Sequence, residues 1–378
     1  NLGLISYSLY LWHQPIFAFG RIYFLSNLNL FISFLFIILS LILSYFSWKF
    51  VEQPFRNKNK IPNNKLLIYF ISTFLIILSL STLLFYNKFS LNKTFLPKKI
   101  SSSMESVKKN SCFDIKFAHL NNTKNWFCEI GNKDKKDISF ILFGDSHALA
   151  LKQLMDEAAQ EVKDKGIIAG YSGCIPFMDI YSIRPDQKEY NCKELNIKVF
   201  NFVKSKKIKK IFLAARWTYY TDGNYDFTQI SYISKVNKLS SNRKNSRKAF
   251  EHGLSETIKK YNQIGTKIFL IHQVPLQIFT PKYIYLNSIK KNEKNYGKFL
   301  YNLSVDYDKH ISFQSFARNS FNMARQKKLI KEINFDSFFC NKKKCIVGTE
   351  KGSYYSDDDH LSIFGSIKLK DEIKKFLN

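Results

Sequence analysis

Three apolar runs, residues 2–25, 30–48 and 66–86, limit the fold of this 378-residue chain more than any other feature. A bilayer takes about 20 apolar residues per helix, and soluble core helices rarely run that long with so little charge. Only the first run is interrupted, by His13, Gln14 and Pro15. Lys49, Arg56, Lys58, Lys60 and Lys65 crowd between the second and third runs, whereas the end of the first run and the turn after it carry only Arg21. Positively charged loops stay on the cytoplasmic side, so the 49–65 loop is expected inside and the third run leads the chain out. Lys88, Lys93, Lys98 and Lys99 weigh against that exit. The chain opens at Asn1 in an apolar helix without the charged leader of a signal peptide, and so reads as the tail of a longer protein.

The cysteines tip the balance toward export. Six of them fall into sequence-local pairs, Cys112 with Cys128, Cys174 with Cys192, and Cys340 with Cys345, and short closures are the pairings to expect. None has CxxC spacing, and Cys340 and Cys345 lie among lysines without a nearby histidine, so zinc is the weaker reading. Three such disulfides would place the region after about residue 100 in an oxidising compartment, six unrelated buried thiols being the alternative. The net charge of +28 could suggest nucleic acid, but the lysines are scattered along the chain among Asn, Ile and Phe, as a compositional bias leaves them. No zinc-finger, RNP or helix-turn-helix pattern supports nucleic-acid binding. A basic surface would still attract anionic glycans or lipid headgroups.

Residues 87–110 are polar, Ser- and Lys-rich and aperiodic, which fits a tether. From 111 to 378 strand-like and helix-like pieces alternate. ISFILFG (138–144), GIIAGYS (166–172), KKIFLAA (209–215) and TKIFLIHQ (266–273) read as buried strands, with helices over 148–163, 193–205 and 247–262 between and after them. That alternation predicts an α/β fold whose central parallel sheet carries helices on both faces. The basic run 242–248 reads as a solvated loop. Ser362 is placed to cap a last helix reaching about residue 376.

Two segments carry chemistry. Gly144-Asp145-Ser146-His147 follows the first strand, where an open parallel sheet has its functional crevice; glycine permits a tight turn and the serine would open the next helix, near backbone N–H groups that can hold an oxyanion. Asp145 or Ser146 could also simply cap that helix. Asp357-Asp358-Asp359-His360-Leu361-Ser362 precedes the last helix. A hydroxyl needs an imidazole to take its proton, and the imidazole needs a carboxylate to fix its tautomer; DxxH spacing supplies both, although alone it is as consistent with a solvated cap.

In these segments the chain resembles the SGNH hydrolase superfamily, GDSH matching the nucleophile block and DDDHLS the closing Asp-x-x-His block. The resemblance implies a three-layer α/β/α fold with Ser146 as nucleophile, His360 as general base and Asp357 as its orienter, Asp358 and Asp359 being alternative acids. It further implies a backbone oxyanion donor, for which Gly173 in Tyr171-Ser172-Gly173-Cys174 fits. The third block normally supplies an Asn, but here the strand ends Ala214-Ala215-Arg216-Trp217. Arg216 is expected to replace the Asn electrostatically, at a position worth about 3 kcal/mol, and Trp217 to offer a sugar-stacking wall; a purely structural role for both is the alternative. His147, His272 and Gln273 are expected to be supporting residues.

The membrane part, through Gly3 to Pro15 and Val51-Glu52-Gln53-Pro54-Phe55-Arg56, is similar to the last helices of the acyltransferase-3 family of integral membrane acyltransferases. The resemblance divides the chain into the terminal helices and cytoplasmic loop of that domain (1–64), an additional transmembrane helix (65–86), a periplasmic linker (87–110) and an SGNH domain (111–378). The histidine and arginine of that family's membrane site belong to earlier helices, and His13 does not replace them. The implied protein sits in a bacterial inner membrane, multi-pass, with its C-terminal domain in the periplasm. It would acylate a hydroxyl of a cell-surface glycan such as O-antigen through an acyl-serine, with membrane lipid as its other partner. No metal and no tightly bound cofactor are implied; acyl-CoA, acetyl-CoA first among candidates, would be donor to the preceding membrane part. Two competing readings are an SGNH glycan esterase and a non-catalytic glycan-binding module serving the membrane enzyme.

Overall fold

The computed structural model describes residues 2–23, 29–56, 63–86, 96–108, 113–115, 126–184, 191–236, 242–292 and 294–378. The chain divides into two compact units, Asn1–Leu91 and Asn92–Asn378.

The first unit is helical. Helix α1 (Ser6–Tyr23) contains Pro15, α2 (Leu30–Ser47) is capped by the Asn29 side chain accepting from Ile32 N–H, and α3 spans Asn63–Tyr86. Helices α1 and α2 meet where Gly20 faces Phe36, a contact so close that a Cβ there would strike the ring. Phe17 meets the same ring edge-on at 5.7 Å. The hydroxyls of Ser40 and Ser44 return to carbonyls one turn back, which hides their polarity inside the helix pair. Apolar side chains point outward instead, Leu30 being 91% exposed. Among the described residues the run Leu30–Arg56 is long and apolar enough to cross a membrane, and Leu67–Leu83 is a shorter apolar helix. Of the three spans expected from sequence, length and composition therefore support one in full.

The second unit is built on a six-stranded sheet: β1 (Cys128–Gly131), β2 (Phe140–Gly144), β3 (Lys165–Gly170), β4 (Lys210–Ala214), β5 (Lys267–Ile271) and β6 (Lys331–Ile333). Their spatial order is β1-β3-β2-β4-β5-β6, with β1 antiparallel to β3 and the other pairs parallel. Successive strand residues alternate between two cores. Phe140, Leu142, Phe212 and Phe269 face a layer formed by α5 (Lys152–Glu161) and α10 (Lys370–Leu377). Ile141, Phe143, Ile211 and Leu270 face α6 (Cys192–Lys206), α7 (Arg243–Gln263) and α9 (Tyr307–Gln326). Residues 140–144 are buried throughout, each large side chain contributing about 1.5–3 kcal/mol of burial. The layers are thus α/β/α, as the alternation of strand and helix signals predicts. The short α4 (Ser146–Ala150) follows β2, and α8 (Pro281–Lys291) follows β5.

Three expectations are corrected. The 87–110 tether is folded by residue 96: Ile100 is buried, Ser103 Oγ accepts from Ser353 N–H at 2.8 Å, and the Glu105 carbonyl accepts from Ile363 N–H at 2.9 Å. The basic run 242–248 is not a loop but the start of α7, capped by Asn242, because Arg243 and Arg247 turn inward to the buried carboxylate of Asp222. Ser362 does cap a helix, accepting from Gly365 N–H, but that turn ends at Ile367 and α10 begins at Lys370.

Candidate active site

Strand β2 lies between β3 and β4, so the connection from β2 to β3 and the crossover from β3 to β4 run in opposite directions and open a crevice at the carboxyl end of β2. Gly144 is required by proximity rather than by an unusual backbone angle, since a Cβ would lie 1.7 Å from the carbonyl oxygen of Ala214 on β4. Asp145 caps α4, its Oδ1 accepting from His147 N–H at 2.9 Å. Its Oδ2 accepts from Arg216 N–H at 3.0 Å and from the Tyr220 hydroxyl at 2.8 Å. Burial and this carboxylate push the Tyr220 phenol well above its usual pKa, so it stays a donor. Asp145 is therefore the cap, and it locks the end of β2 to the turn after β4. Ser146 is left as the first helical residue, facing the crevice.

His360 Nε2 lies 2.7 Å from Ser146 Oγ. His360 Nδ1 lies 2.9 Å from Asp357 Oδ2 and 2.7 Å from Asp359 Oδ1. Asp357 also accepts from the backbone N–H of His360, which fixes the loop. The two carboxylates differ in setting: the side chain of Asp357 is 46% exposed and that of Asp359 only 7%. Burial pulls the His360 pKa down, but bonds to Asp357 and Asp359 overcome it and raise the imidazole to about 10. Burial pushes the Asp359 carboxyl up, and the His147 and His360 imidazoles beside it more than reverse this, holding it well below the usual carboxylate range. Burial and the neighbouring Asp359 charge raise Asp358.

Arg216 joins this group. Its Nη1 pairs with Asp359 Oδ2 at 2.7 Å, its Nη2 donates to Asn224 Oδ1, and its guanidinium lies 5.3 Å from the Tyr219 ring. Its Nε is buried without a hydrogen-bond partner among the described residues. Arg216 thus braces the His360 loop against the loop carrying Asn224, a role that motif spacing did not reveal. His147 supports the same network, with its ring 4.6 Å from that of His360 and its Nε2 3.5 Å from Asp359. Gly173 adopts φ +71°, a left-handed conformation that favours glycine, and lines the crevice with Ser146 and His360. The disulfide Cys174–Cys192 ties its loop to the start of α6. Cys340–Cys345 is also formed; Cys128 is disulfide-bonded, and Cys112 lies outside the described residues.

Trp217 is not a wall of the crevice. It is 1% exposed, stacked on Phe177 at 5.3 Å, with its indole N–H donated to the Ile271 carbonyl. The one-turn helix Trp217–Tyr220 turns it into the core and leaves Tyr219 lining the crevice, whose volume is about 750 Å³. Gln273 is structural, accepting from Thr218 N–H and Oγ1, and His272 bonds Glu332 at 2.7 Å. His310, Cys340 and Cys345 bring donor atoms within 4.8 Å of one another, but the two sulfurs are joined in the disulfide and offer no thiolate.

An α/β/α fold that brings Ser146, His360 and Asp357 into contact at its crevice has the arrangement of a hydrolase or acyl-transfer domain. Residues 112–375 match the family described as the SGNH domain fused to AT3 domains, and the chain belongs to that family. Among solved structures it is similar to the periplasmic domain of the lipopolysaccharide acetyltransferase of Salmonella ser. Paratyphi A, with 19% identity, TM-score 0.52, and coverage of 71% of this chain and 91% of that one. It also aligns with a GDSL-like lipase from Bacteroides thetaiotaomicron, at 13% identity and TM-score 0.35 over 63% of this chain and 86% of that one. No protein of curated function matches the sequence.

Proposed function

We propose that this chain is part of an O-acyltransferase in which Ser146 carries an acyl group, acetyl in the first instance, to a hydroxyl of a cell-surface polysaccharide. One observation carries the reading: Ser146, His360 and Asp357 form a continuous chain of contacts at 2.7 and 2.9 Å. Ser146 Oγ attacks the donor carbonyl while His360 takes its proton, and the same proton goes to the leaving group as the tetrahedral intermediate collapses. The acceptor hydroxyl then attacks the acyl-serine, His360 takes that proton and returns it to Ser146. Backbone N–H groups of Ser146 and Gly173 hold the oxyanion; Arg216 acts through Asp359 on the base. Acyl-CoA supplies the group on the cytoplasmic side of a multi-pass inner-membrane protein, and the second unit works in the periplasm, where Cys174–Cys192 and Cys340–Cys345 persist.

Water in place of the acceptor makes the same acyl-serine an esterase intermediate. The test is the full-length protein in its native host, with glycan acylation quantified by mass spectrometry and the Ser146 peptide examined for an added acyl group. Ser146→Ala should abolish both while leaving expression unchanged. Normal glycan acylation by that variant sinks the acyl-serine route and favours a glycan-binding module.

A further inference from the structure

The loop between Asp222 and Ser231 contributes Gln229, Ile230 and Ser231 to the lining of the catalytic crevice. Its backbone is unusual. Phe227 and Gln229 adopt φ +60° and +55°, where a bulky side chain is a true outlier, and such outliers persist only where surrounding structure imposes them. The imposing contacts are present: Asp226 Oδ1 accepts from Thr228 N–H and Oγ1, Asn224 Nδ2 donates to Gln229 Oε1 at 2.9 Å, and Arg216 holds Asn224 from below.

This strained turn lifts Phe227 into solvent, where it is 52% exposed. Its inner face rests on Arg243, whose guanidinium carbon lies 4.1 Å from the ring centroid. Arg243 is in turn fixed by Asp222 at 2.7 Å, and Asp222 is buried. A surface aromatic with one face clamped and the other open costs order without adding to the core. Such a ring is suited to a ligand with one apolar face and polar edges.

We infer that this loop is an acceptor subsite for a pyranose ring, with Phe227 as its stacking platform and Gln229 as its hydrogen-bonding edge. The inference rests on the acyltransferase reading and names how that site takes its glycan. A pyranose presents axial C–H groups on its face and hydroxyls around its rim, which matches an aromatic ring flanked by Asn224, Asp226 and Gln229. A lipid tail would demand a continuous apolar patch, and the neighbours of Phe227 in this loop are polar.

The test uses the full-length protein in detergent, p-nitrophenyl acetate as the acyl donor with p-nitrophenolate as the leaving group, and the polysaccharide released by mild acid from cells that make the protein. Phe227→Leu keeps the apolar cover over Arg243 but loses the ring; Phe227→Trp keeps a ring. Phe227→Leu should raise the acceptor KM roughly tenfold, the loss of one modest contact, with hydrolysis of p-nitrophenyl acetate unchanged. Phe227→Trp should stay near wild type, and its emission should shift as polysaccharide is added. Wild-type acceptor KM in Phe227→Leu, or tryptophan emission that responds to phosphatidylglycerol vesicles and not to polysaccharide, overturns the subsite. Failure of the wild-type protein to acylate Ser146 would instead overturn the acyltransferase reading, while the emission measurement still decides whether the loop binds sugar.

Discussion

On the floor of the crevice, Asp145 ties the end of β2 to the turn after β4, Asp359 ties His360 to Arg216, and Gly144 presses against the Ala214 carbonyl. On the rim, the Asp222–Ser231 loop spends its hydrogen bonds on holding one exposed ring outward. The floor is over-determined by buried polar contacts, so a lost partner there strands another group. The rim is braced from behind, where Asn224 shares Arg216 with Asp359 of the floor, and Phe227 stands half in solvent, so a change at Phe227 is expected to leave the floor in place and a change at Asn224 is not.

The sharpest contrast is expected at the floor. His360→Ala should cut p-nitrophenyl acetate hydrolysis by roughly a thousandfold or more, and adding Ser146→Ala should cost little further, since nucleophile and base act as a unit. Multiplicative losses in the double variant would show that the two residues work independently.

Asp145→Ala comes next and should act on stability. Arg216 N–H and the Tyr220 hydroxyl would lose a buried acceptor, at about 1–3 kcal/mol for each group left unpaired. The urea midpoint of the second unit should fall, with the slope unchanged. A midpoint equal to wild type would mean that the β2–β4 lock is dispensable.

The smallest effect is a shift in pH dependence. His360 must be neutral to accept a proton, so ester hydrolysis should climb with pH toward the raised imidazole pKa of about 10. Asp359→Asn removes one of the two charges that raise it and frees Arg216, and both changes lower the pKa. The acid limb should move to lower pH. Because the folded-state pKa lies above its unfolded value, the stability it contributes is complete below about 6.5 and is lost as pH rises through about 10; Asp359→Asn should flatten that loss. An unmoved limb would reduce Asp359 to a counter-ion for Arg216.

Much of this architecture was legible because burial on both faces makes strands read as unbroken apolar runs, as in Phe140–Gly144, Lys210–Ala214 and Lys267–Ile271. The edge strand β1 was not, since Cys128-Glu129-Ile130-Gly131 is short and half-exposed. Helix α9 was missed as well: on the core-facing side of Tyr307–Gln326 the apolar Phe313, Ala317, Phe321 and Ala324 alternate with His310, Gln314 and Ser320, which dilutes the apolar stripe. Ser146, Asp357 and His360 stand out because their chemistry demands fixed types at fixed spacing. Trp217 misled, because the direction of a side chain after a strand depends on the turn that follows, and a one-turn helix there reverses it inward. The role of Asp359 depends on Arg216, 143 positions upstream by subtraction of their numbers; an Arg at one crevice loop and a run of acids at another was the available signal.

Ser146 and His360 stand 214 residues apart, and the bond from Ser353 to Ser103 closes over 250. Synthesis delivers the nucleophile long before its base, and an unpaired serine hydroxyl is too weak to react with an ester. A chain stalled or cut between Ser146 and His360 would therefore be expected to leave p-nitrophenyl acetate intact. Separation along the chain thus acts as a delay, the Ser146 hydroxyl meeting its imidazole only after the intervening sheet has folded to bring His360 against it.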